Sequence, residues 1–164
     1  MIEINNLTTV SINEEFLKKI AEKVLEEELE ISKYRNIELS IALVGQGRIK
    51  ELNKRYRGKN RVTDVLAFGE NSKWGPNKVW EGGGRVGVQI PNSKIKGLGE
   101  IVICLREVKK NAKRLSSTFE KELARVLIHG ILHLLGEDHE KSKTEAERMR
   151  EKEEYYLRQS KIDN

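Results

Sequence analysis

Cysteine, proline and histidine are scarce in this sequence, which contains one, two and three of them in 164 residues. A single cysteine excludes an internal disulfide and is typical of proteins of the reducing cytoplasm. No apolar run is long enough to cross a membrane, and the first residues, Met-Ile-Glu-Ile-Asn-Asn, lack the basic and apolar segments of a signal peptide. We therefore expect a cytoplasmic protein that does not act with a membrane.

Charged residues are abundant and make up 35% of the sequence, against 37% hydrophobic residues. This balance predicts one globular domain over residues 1–164. The net charge of +5 is unevenly spread: residues 48–61 carry seven basic side chains against one acidic (net +6), residues 106–114 carry five against one (+4), and residues 14–30 carry three against seven (−4). A polyanionic partner would bind the middle of the chain, unless these segments are ordinary solvated helix faces.

Apolar periodicity, caps and turn residues predict alternating strands and helices. The predicted strands are an edge strand within residues 1–10, a strand at 37–43 and two further central strands at 62–68 and 99–105. The predicted helices of the first half are one near 12–30 capped by Ser11 and a short one from Ile49 to Tyr56 ending by Gly58. The second half has a helix through Val108, Ala112 and Leu115, a helix that starts with a capping box at 117–120, and a last helix capped by Ser142. This order predicts an α+β fold with a small mixed sheet packed with helices.

All three histidines fall inside one stretch, residues 126–139. His129 and His133 are four residues apart, which is about 40° around a helix and roughly 6 Å along it, so both imidazoles leave the same face. Gly136 suits a helix end, and a chain that turns there can bring His139 back toward the pair. Three neutral imidazoles with a fourth position open describe a catalytic zinc site holding one Zn²⁺ per chain.

The histidine spacing overlays the metzincin metalloprotease pattern H-E-x-x-H-x-x-G-x-x-H. The glutamate of that pattern is replaced by Gly130, so the general base of a peptidase is missing from the helix. The sequence therefore predicts the three-histidine metal site without the peptidase base, and a metalloprotease is the less favoured function. Cys104 is a conceivable fourth ligand, but a cysteine inside a β-run is more often a small buried residue.

The same stretch resembles a known family residue by residue. It follows H-G-x-L-H-L-x-G-x-D-H at every fixed position, including Leu132, Leu134 and Asp138. This is the signature of the bacterial YbeY family, zinc-dependent endoribonucleases that mature ribosomal RNA. The resemblance implies a single-strand-specific, metal-dependent endoribonuclease in late ribosomal RNA maturation, ribosome assembly and RNA quality control. It implies ribosomal RNA and the small ribosomal subunit as partners, with a ribosomal protein or GTPase as further candidates, and a monomer is favoured.

A second block, residues 52–68, is similar to the family's L-N-x-x-Y-R-x-K-D-x-P-T-D-V-L-S-F element. It departs from that element at Asn60, Val62 and Ala67. The family's essential arginine maps onto Arg57. A guanidinium stays charged at any working pH and matches the phosphoryl oxygens on which charge builds during RNA cleavage, so we expect Arg57 to stabilise the transition state.

A third element, residues 99–105, resembles G-D-I-x-I-[SC], with Glu100 in place of aspartate. The general base stays open among Asp64, Glu100, Asp138 and the metal-bound hydroxide itself, and Asp138 is equally suited to orient a metal-bound imidazole. The nucleophile also stays open between a zinc-bound hydroxide and the neighbouring 2′-OH. The predicted site residues are Arg57 and His129, with Asp64 and Asp138, as the catalytic set; Arg55, Arg57, Lys59 and Arg61 as the RNA-binding set; and His129, His133 and His139 as the metal ligands.

Residues 69–98 are rich in glycine and longer than the family usually has at this place. We expect an insertion or flap, with a strand at 86–90. Its basic residues, with Trp74 and Trp80 available to stack on bases, suit an RNA-contacting arm, and a plain surface insertion is the alternative. For the whole protein, a non-catalytic zinc-containing ribosome-assembly or RNA-binding factor is the main alternative to the nuclease.

Overall fold

A computed structural model describes residues 1–29, 35, 37–69, 96–137 and 142–161 of the chain. The described elements are β1 (Ile2–Asn6), α1 (Glu14–Glu28), β2 (Ile37–Val44), α2 (Gln46–Arg57), β3 (Val65–Gly69), β4 (Lys96–Cys104), α3 (Leu105–Arg114), α4 (Phe119–Leu134) and α5 (Lys143–Gln159). The predicted α+β class with a small mixed sheet is confirmed. Most of the predicted insertion, including its strand, lies outside the described residues, and the single domain stays a prediction.

The four strands form one mixed sheet in the order β1-β2-β4-β3. β1, β2 and β4 are parallel, and β3 is antiparallel to β4. One row across the sheet aligns Ile4, Ile41, Ile101 and Ala67. Among the described strands, β3 lies at one end of the order with β4 as its neighbour, so in this part of the chain it is an edge strand and not the central strand that the sequence predicts.

Helices cover both faces of the sheet. On one face, Ile101 and Ile103 pack in a core with α1, α4 and α5; on the other, Val102 and Cys104 pack with α2. The alternation of β4 side chains between these two cores follows from the period of two along a strand. Helices also cover both faces of β3, since Val65 and Ala67 pack in the first core and Leu66 and Phe68 in the second. The apolar residues of β3 therefore resemble those of a central strand.

Several predicted boundaries were wrong by a few residues. α2 starts at Gln46 rather than at Ile49, and β4 starts at Lys96 rather than at Gly99. Asn13, not Ser11, caps α1, since its Oδ1 accepts from the Phe16 amide at 3.0 Å. Thr118, not Ser117, caps α4, since its Oγ1 accepts from the Lys121 amide at 3.2 Å; the Ser117 amide donates to Ala112 O at 2.8 Å and closes α3. β3 starts at Val65 rather than at residue 62.

Other predicted boundaries were confirmed. Gly58 ends α2 with φ +67°, a left-handed conformation that suits glycine. Ser142 caps α5, with its Oγ accepting from the Glu145 amide at 3.1 Å. No helix in the described ranges combines the length and the apolar character that crossing a bilayer requires.

Candidate metal centre

The helix α4 carries His129 and His133 and ends as the sequence predicts. The Glu137 amide donates to Leu132 O at 3.0 Å, and the Gly136 amide donates to His133 O at 3.1 Å. Gly136 itself has φ +97°. These two bonds form a Schellman motif, which turns the chain sharply just after the histidine pair. His139 and Asp138 lie outside the described residues, so their predicted roles stay predictions.

The two imidazoles leave one face of α4 and meet. Their Nε2 atoms are 3.0 Å apart, and the ring planes are inclined by 79°. Two nitrogen ligands of a tetrahedral zinc ion, each bonded at 2.0–2.1 Å, lie about 3.3 Å apart. The pair therefore fits two ligands of one ion within a few tenths of an ångström. Within the described part of the chain, no group of three or more potential ligands occurs, and the third predicted ligand falls outside that part.

A carboxylate holds the other side of the first imidazole. His129 Nδ1 lies 2.5 Å from Glu153 Oε1, which comes from α5. Glu153 is only 9% exposed. Sequence reasoning missed this residue, although one signal was present: Glu153 interrupts an apolar stripe on α5 formed by Met149, Tyr156 and Leu157.

A second contact from α5 reaches the turn after α4. Lys152 Nζ lies 2.7 Å from Glu137 Oε1 and 2.7 Å from Glu28 Oε2 of α1. Burial lowers the pKa of Lys152, but the hydrogen bonds and charges of the two glutamates outweigh burial and raise it overall. Tyr156 OH donates to the same Glu28 at 2.8 Å. These contacts fix α5 against both α1 and the turn that leads toward His139.

Gly130 lies where a metzincin would have its glutamate, and it packs directly on the sheet. A Cβ at this position would lie 3.0 Å from Cγ2 and 3.2 Å from Cδ1 of Ile101, which is fully buried. Any side chain at position 130 would therefore press into β4. The helix–sheet contact gives a physical reason for glycine here.

Two other predicted candidates lie away from the histidines. Glu100 is next to Ile101 on β4 and pairs with Phe68, which belongs to the α2-side core, so Glu100 faces away from α4. Burial raises the pKa of Glu100, against the opposing charge of Arg48. Cys104 is also buried in the α2-side core, as the sequence favoured, and burial raises the pKa of its thiol. Glu100 is therefore a poor general base for this centre, and Cys104 is not its fourth ligand.

Asp64 lies on the α4 side of the chain, at the start of β3. Its Oδ2 accepts from Asn111 Nδ2 of α3 at 3.2 Å, and its backbone O accepts from the Cys104 amide at 2.8 Å. Glu122, seven residues before His129 on α4, is only 4% exposed, and burial raises its pKa. The charges of Arg125 and Arg114 oppose that rise, while those of Asp64 and Glu153 add to it. Arg125 Nε also lies 3.5 Å from Glu122 Oε2, so the buried carboxyl has a basic partner on its own helix.

The predicted RNA-binding residues follow one another at the end of α2 and in the loop after it. Arg55, Lys59 and Arg61 are exposed, and Arg57 is half-buried. The buried Asn53 folds the loop back on the helix, since its Nδ2 donates to Arg61 O at 2.9 Å and its backbone O accepts from the Lys59 amide at 3.2 Å. The structure therefore presents the predicted basic segment as an ordered, mostly exposed surface.

Comparison with known proteins identifies the family to which this chain belongs. Residues 3–161 match the family model described as Endoribonuclease YbeY. The chain belongs to the YbeY family. It is 40% identical over 139 residues to the Endoribonuclease YbeY of Persephonella marina, covering 85% of this chain and 78% of that protein. It is 35% identical over 156 residues to that of Petrotoga mobilis, covering 95% and 92%.

A solved structure is also similar to this YbeY family member. The solution structure of a Thermotoga maritima protein aligns with a TM-score of 0.62 and 33% identity, over 98% of this chain and 89% of that one. In the YbeY family member described here, α2 and α4 pack on opposite faces of the sheet, and the loop at 58–64 joins α2 to the edge strand β3.

Proposed function

We propose that this protein is an endoribonuclease that cleaves single-stranded RNA with the help of a bound zinc ion, in late ribosomal RNA maturation, ribosome assembly and RNA quality control. The observation that carries the proposal is the match of residues 3–161 to the Endoribonuclease YbeY family. The role implies the cytoplasm, with ribosomal RNA and the small ribosomal subunit as partners and a ribosomal protein or GTPase as further candidates. A monomer is the favoured state.

The proposed zinc ligands are His129, His133 and His139. Support comes from the 3.0 Å approach of the first two Nε2 atoms and from the Schellman turn that follows them. A zinc ion on three imidazoles supplies Lewis acidity and a water whose pKa falls to about 7.

The chain's own residues supply RNA binding and charge stabilisation. Arg55, Lys59 and Arg61 are exposed beside one another and suit the phosphates of a single strand. Arg57 is the proposed partner of the phosphoryl oxygens that gain charge in the transition state. Asp64 and Asp138 stay the candidate general bases, and the hydrogen bond from Asn111 holds Asp64 in place.

The peptidase alternative is disfavoured because Gly130 replaces the glutamate of the peptidase pattern, and a Cβ at this position would lie only 3.0 Å from Ile101 Cγ2. The non-catalytic alternative, a zinc-containing ribosome-assembly or RNA-binding factor, uses the same basic surface and is separated from the nuclease by assay alone. It predicts salt-sensitive RNA binding without phosphodiester cleavage in highly purified protein.

The test compares wild type with Arg57→Ala on a defined single-stranded RNA, with all proteins purified identically. We expect Arg57→Ala to keep its metal and to cleave about 10²–10³-fold more slowly, which is the usual effect of removing one transition-state donor. Lys54→Ala is the matched control, because Lys54 is an exposed basic residue of the same helix and lies outside the proposed RNA-binding set. Full cleavage by Arg57→Ala would remove Arg57 from the mechanism.

A second arm of the same assay uses His133→Ala. This variant should lose the metal, as measured by elemental analysis, and lose cleavage with it. Metal content equal to that of wild type would show that His133 is not a ligand. If wild type loaded with zinc binds the RNA and leaves it intact, the assembly-factor alternative replaces the nuclease.

A further inference from the structure

We propose that Glu153 of the last helix is a positioning residue for the metal centre, holding the His129 imidazole so that its Nε2 faces the ion. The inference rests on the proposed zinc site and concerns a residue outside the histidine motif. Its basis is the 2.5 Å contact between His129 Nδ1 and Glu153 Oε1.

The contact determines which nitrogen is available to a metal. A neutral imidazole carries one ring hydrogen, and a carboxylate at Nδ1 accepts it. Nε2 of His129 is then left with its lone pair, directed toward Nε2 of His133 at 3.0 Å. Metal-binding histidines commonly donate their second nitrogen to a carboxylate in this way, and the carboxylate fixes the ring orientation.

The fold holds Glu153 firmly in this position. Its side chain is buried between α4 and α5, where a carboxylate persists only with a good partner. The preceding residue, Lys152, bonds to Glu28 of α1 and to Glu137 in the turn after α4. Two successive residues of α5 therefore fix two parts of the centre, the first imidazole and the turn that leads toward the third.

The test measures zinc affinity by competition with a chelator, in the full-length protein. Glu153→Gln keeps the size of the side chain and one acceptor oxygen but removes the charge, and Glu153→Leu also removes the acceptor. We expect zinc to bind about 10-fold more weakly to the Gln variant and up to about 100-fold more weakly to the Leu variant. The exposed neighbour Glu154→Gln should keep the affinity of wild type.

A second comparison distinguishes a positioning role of Glu153 from a purely structural one. Leu157→Ala removes a buried side chain one turn further along α5, so it should lower the unfolding temperature of the metal-free protein and leave zinc affinity unchanged. Glu153→Gln should show the reverse pattern, with weaker zinc binding at a nearly unchanged unfolding temperature. Affinity losses that merely track the loss of unfolding temperature across these variants would overturn the proposal.

A readout without metal completes the test. Long-range ¹⁵N–¹H correlation spectra of the metal-free protein report which nitrogen of His129 carries the ring hydrogen. We expect Nδ1–H in wild type and loss of that preference in Glu153→Leu; an identical tautomer in both, or wild-type zinc affinity in Glu153→Leu, contradicts the proposal. Failure of the proposed function is a separate result, namely zinc-loaded wild type that leaves RNA uncut.

Discussion

Three polar side chains are buried in the part of the chain that the structure describes: Asn53, Glu122 and Glu153. Asn53 holds the basic loop on α2, and Glu153 holds His129. Glu122 lies on α4 between the charges of Arg125 and Asp64. Because burying a polar group without a partner is costly, such residues mark places where the fold maintains a particular geometry. Each of these three lies beside a part of the proposed nuclease site.

A partly exposed carboxyl offers a test of the electrostatics at the residue scale. Gln46 Nε2 donates to Glu107 Oε1 at 2.5 Å, and Lys110 Nζ approaches the same oxygen at 3.0 Å. The hydrogen bond from Gln46 lowers the pKa of Glu107, with burial opposing and Lys110 adding to the fall. A carboxyl whose pKa is lowered by folding stabilises the protein above its unfolded-state pKa, near 4.3, and loses that contribution as pH falls through the folded-state value.

We therefore predict that Glu107→Gln lowers the free energy of unfolding by about 0.5–1 kcal/mol at pH 7, a value reduced for solvent exposure. The difference from wild type should shrink and vanish as pH falls below about 4. Urea unfolding between pH 3 and pH 8 measures it, with the exposed Glu154→Gln as control. A difference that persists unchanged at pH 3 would mean that the ionised form of Glu107 is not the stabilising one.

At the scale of elements, α4 is the helix on which the proposed site depends, and its distance from the sheet is set at Gly130. A Cβ at Gly130 would lie 3.0 Å from the fully buried Ile101, whereas a Cβ at Gly47 of α2 would meet nothing within 4 Å. Alanine has a better helix propensity than glycine by about 1 kcal/mol in a helix interior, where Gly130 lies, and the gain is smaller at Gly47, the second residue of α2. The two positions therefore differ in packing and in their distance from the start of the helix.

We predict that Gly130→Ala destabilises the protein by about 1–2 kcal/mol, because overpacking outweighs the gain in helix propensity. The matched control Gly47→Ala should stabilise it by about 0.5–1 kcal/mol. Thermal or denaturant unfolding of the two variants gives both values. Equal stabilisation by both substitutions would show that α4 has room to move away from β4.

Element types followed from the sequence better than boundaries and strand order did. Ser11 and Ser117 are plausible caps by residue type, but Asn13 takes the first role, and the amide of Ser117 is used to end α3. Ser116 helps by adopting φ +51°, a conformation more usual for glycine. The edge position of β3 could not be predicted, because helices cover both of its faces and its apolar residues resemble those of a central strand.

The same limit applies to the candidate site. The spacing of His129 and His133 is local, so a helical period predicts that their rings meet, and Gly136 predicts the turn. Glu153 reaches His129 from 24 residues further along the chain, through the packing of α5 on α4. A period cannot predict such a contact. The one signal of this contact in the sequence was the charged Glu153 within the apolar stripe of α5.

At the scale of the whole molecule, the proposed site has two parts, a basic segment and a pair of histidines, which lie on opposite faces of the sheet. The basic residues at 48–61 belong to α2 and its loop on one face of the sheet, while α4 with its two histidines lies on the other. For both parts to act on one phosphodiester, a single strand of RNA must reach from the basic loop to the histidines around the sheet.

The most direct test is a zinc titration of metal-free wild-type protein, in which the rate of cleavage of a defined single-stranded RNA is followed. The account predicts no cleavage before zinc is added, and a rate that rises in proportion to bound zinc and levels off at one ion per chain. Undiminished cleavage by the metal-free protein, or intact RNA at one zinc per chain, would contradict it.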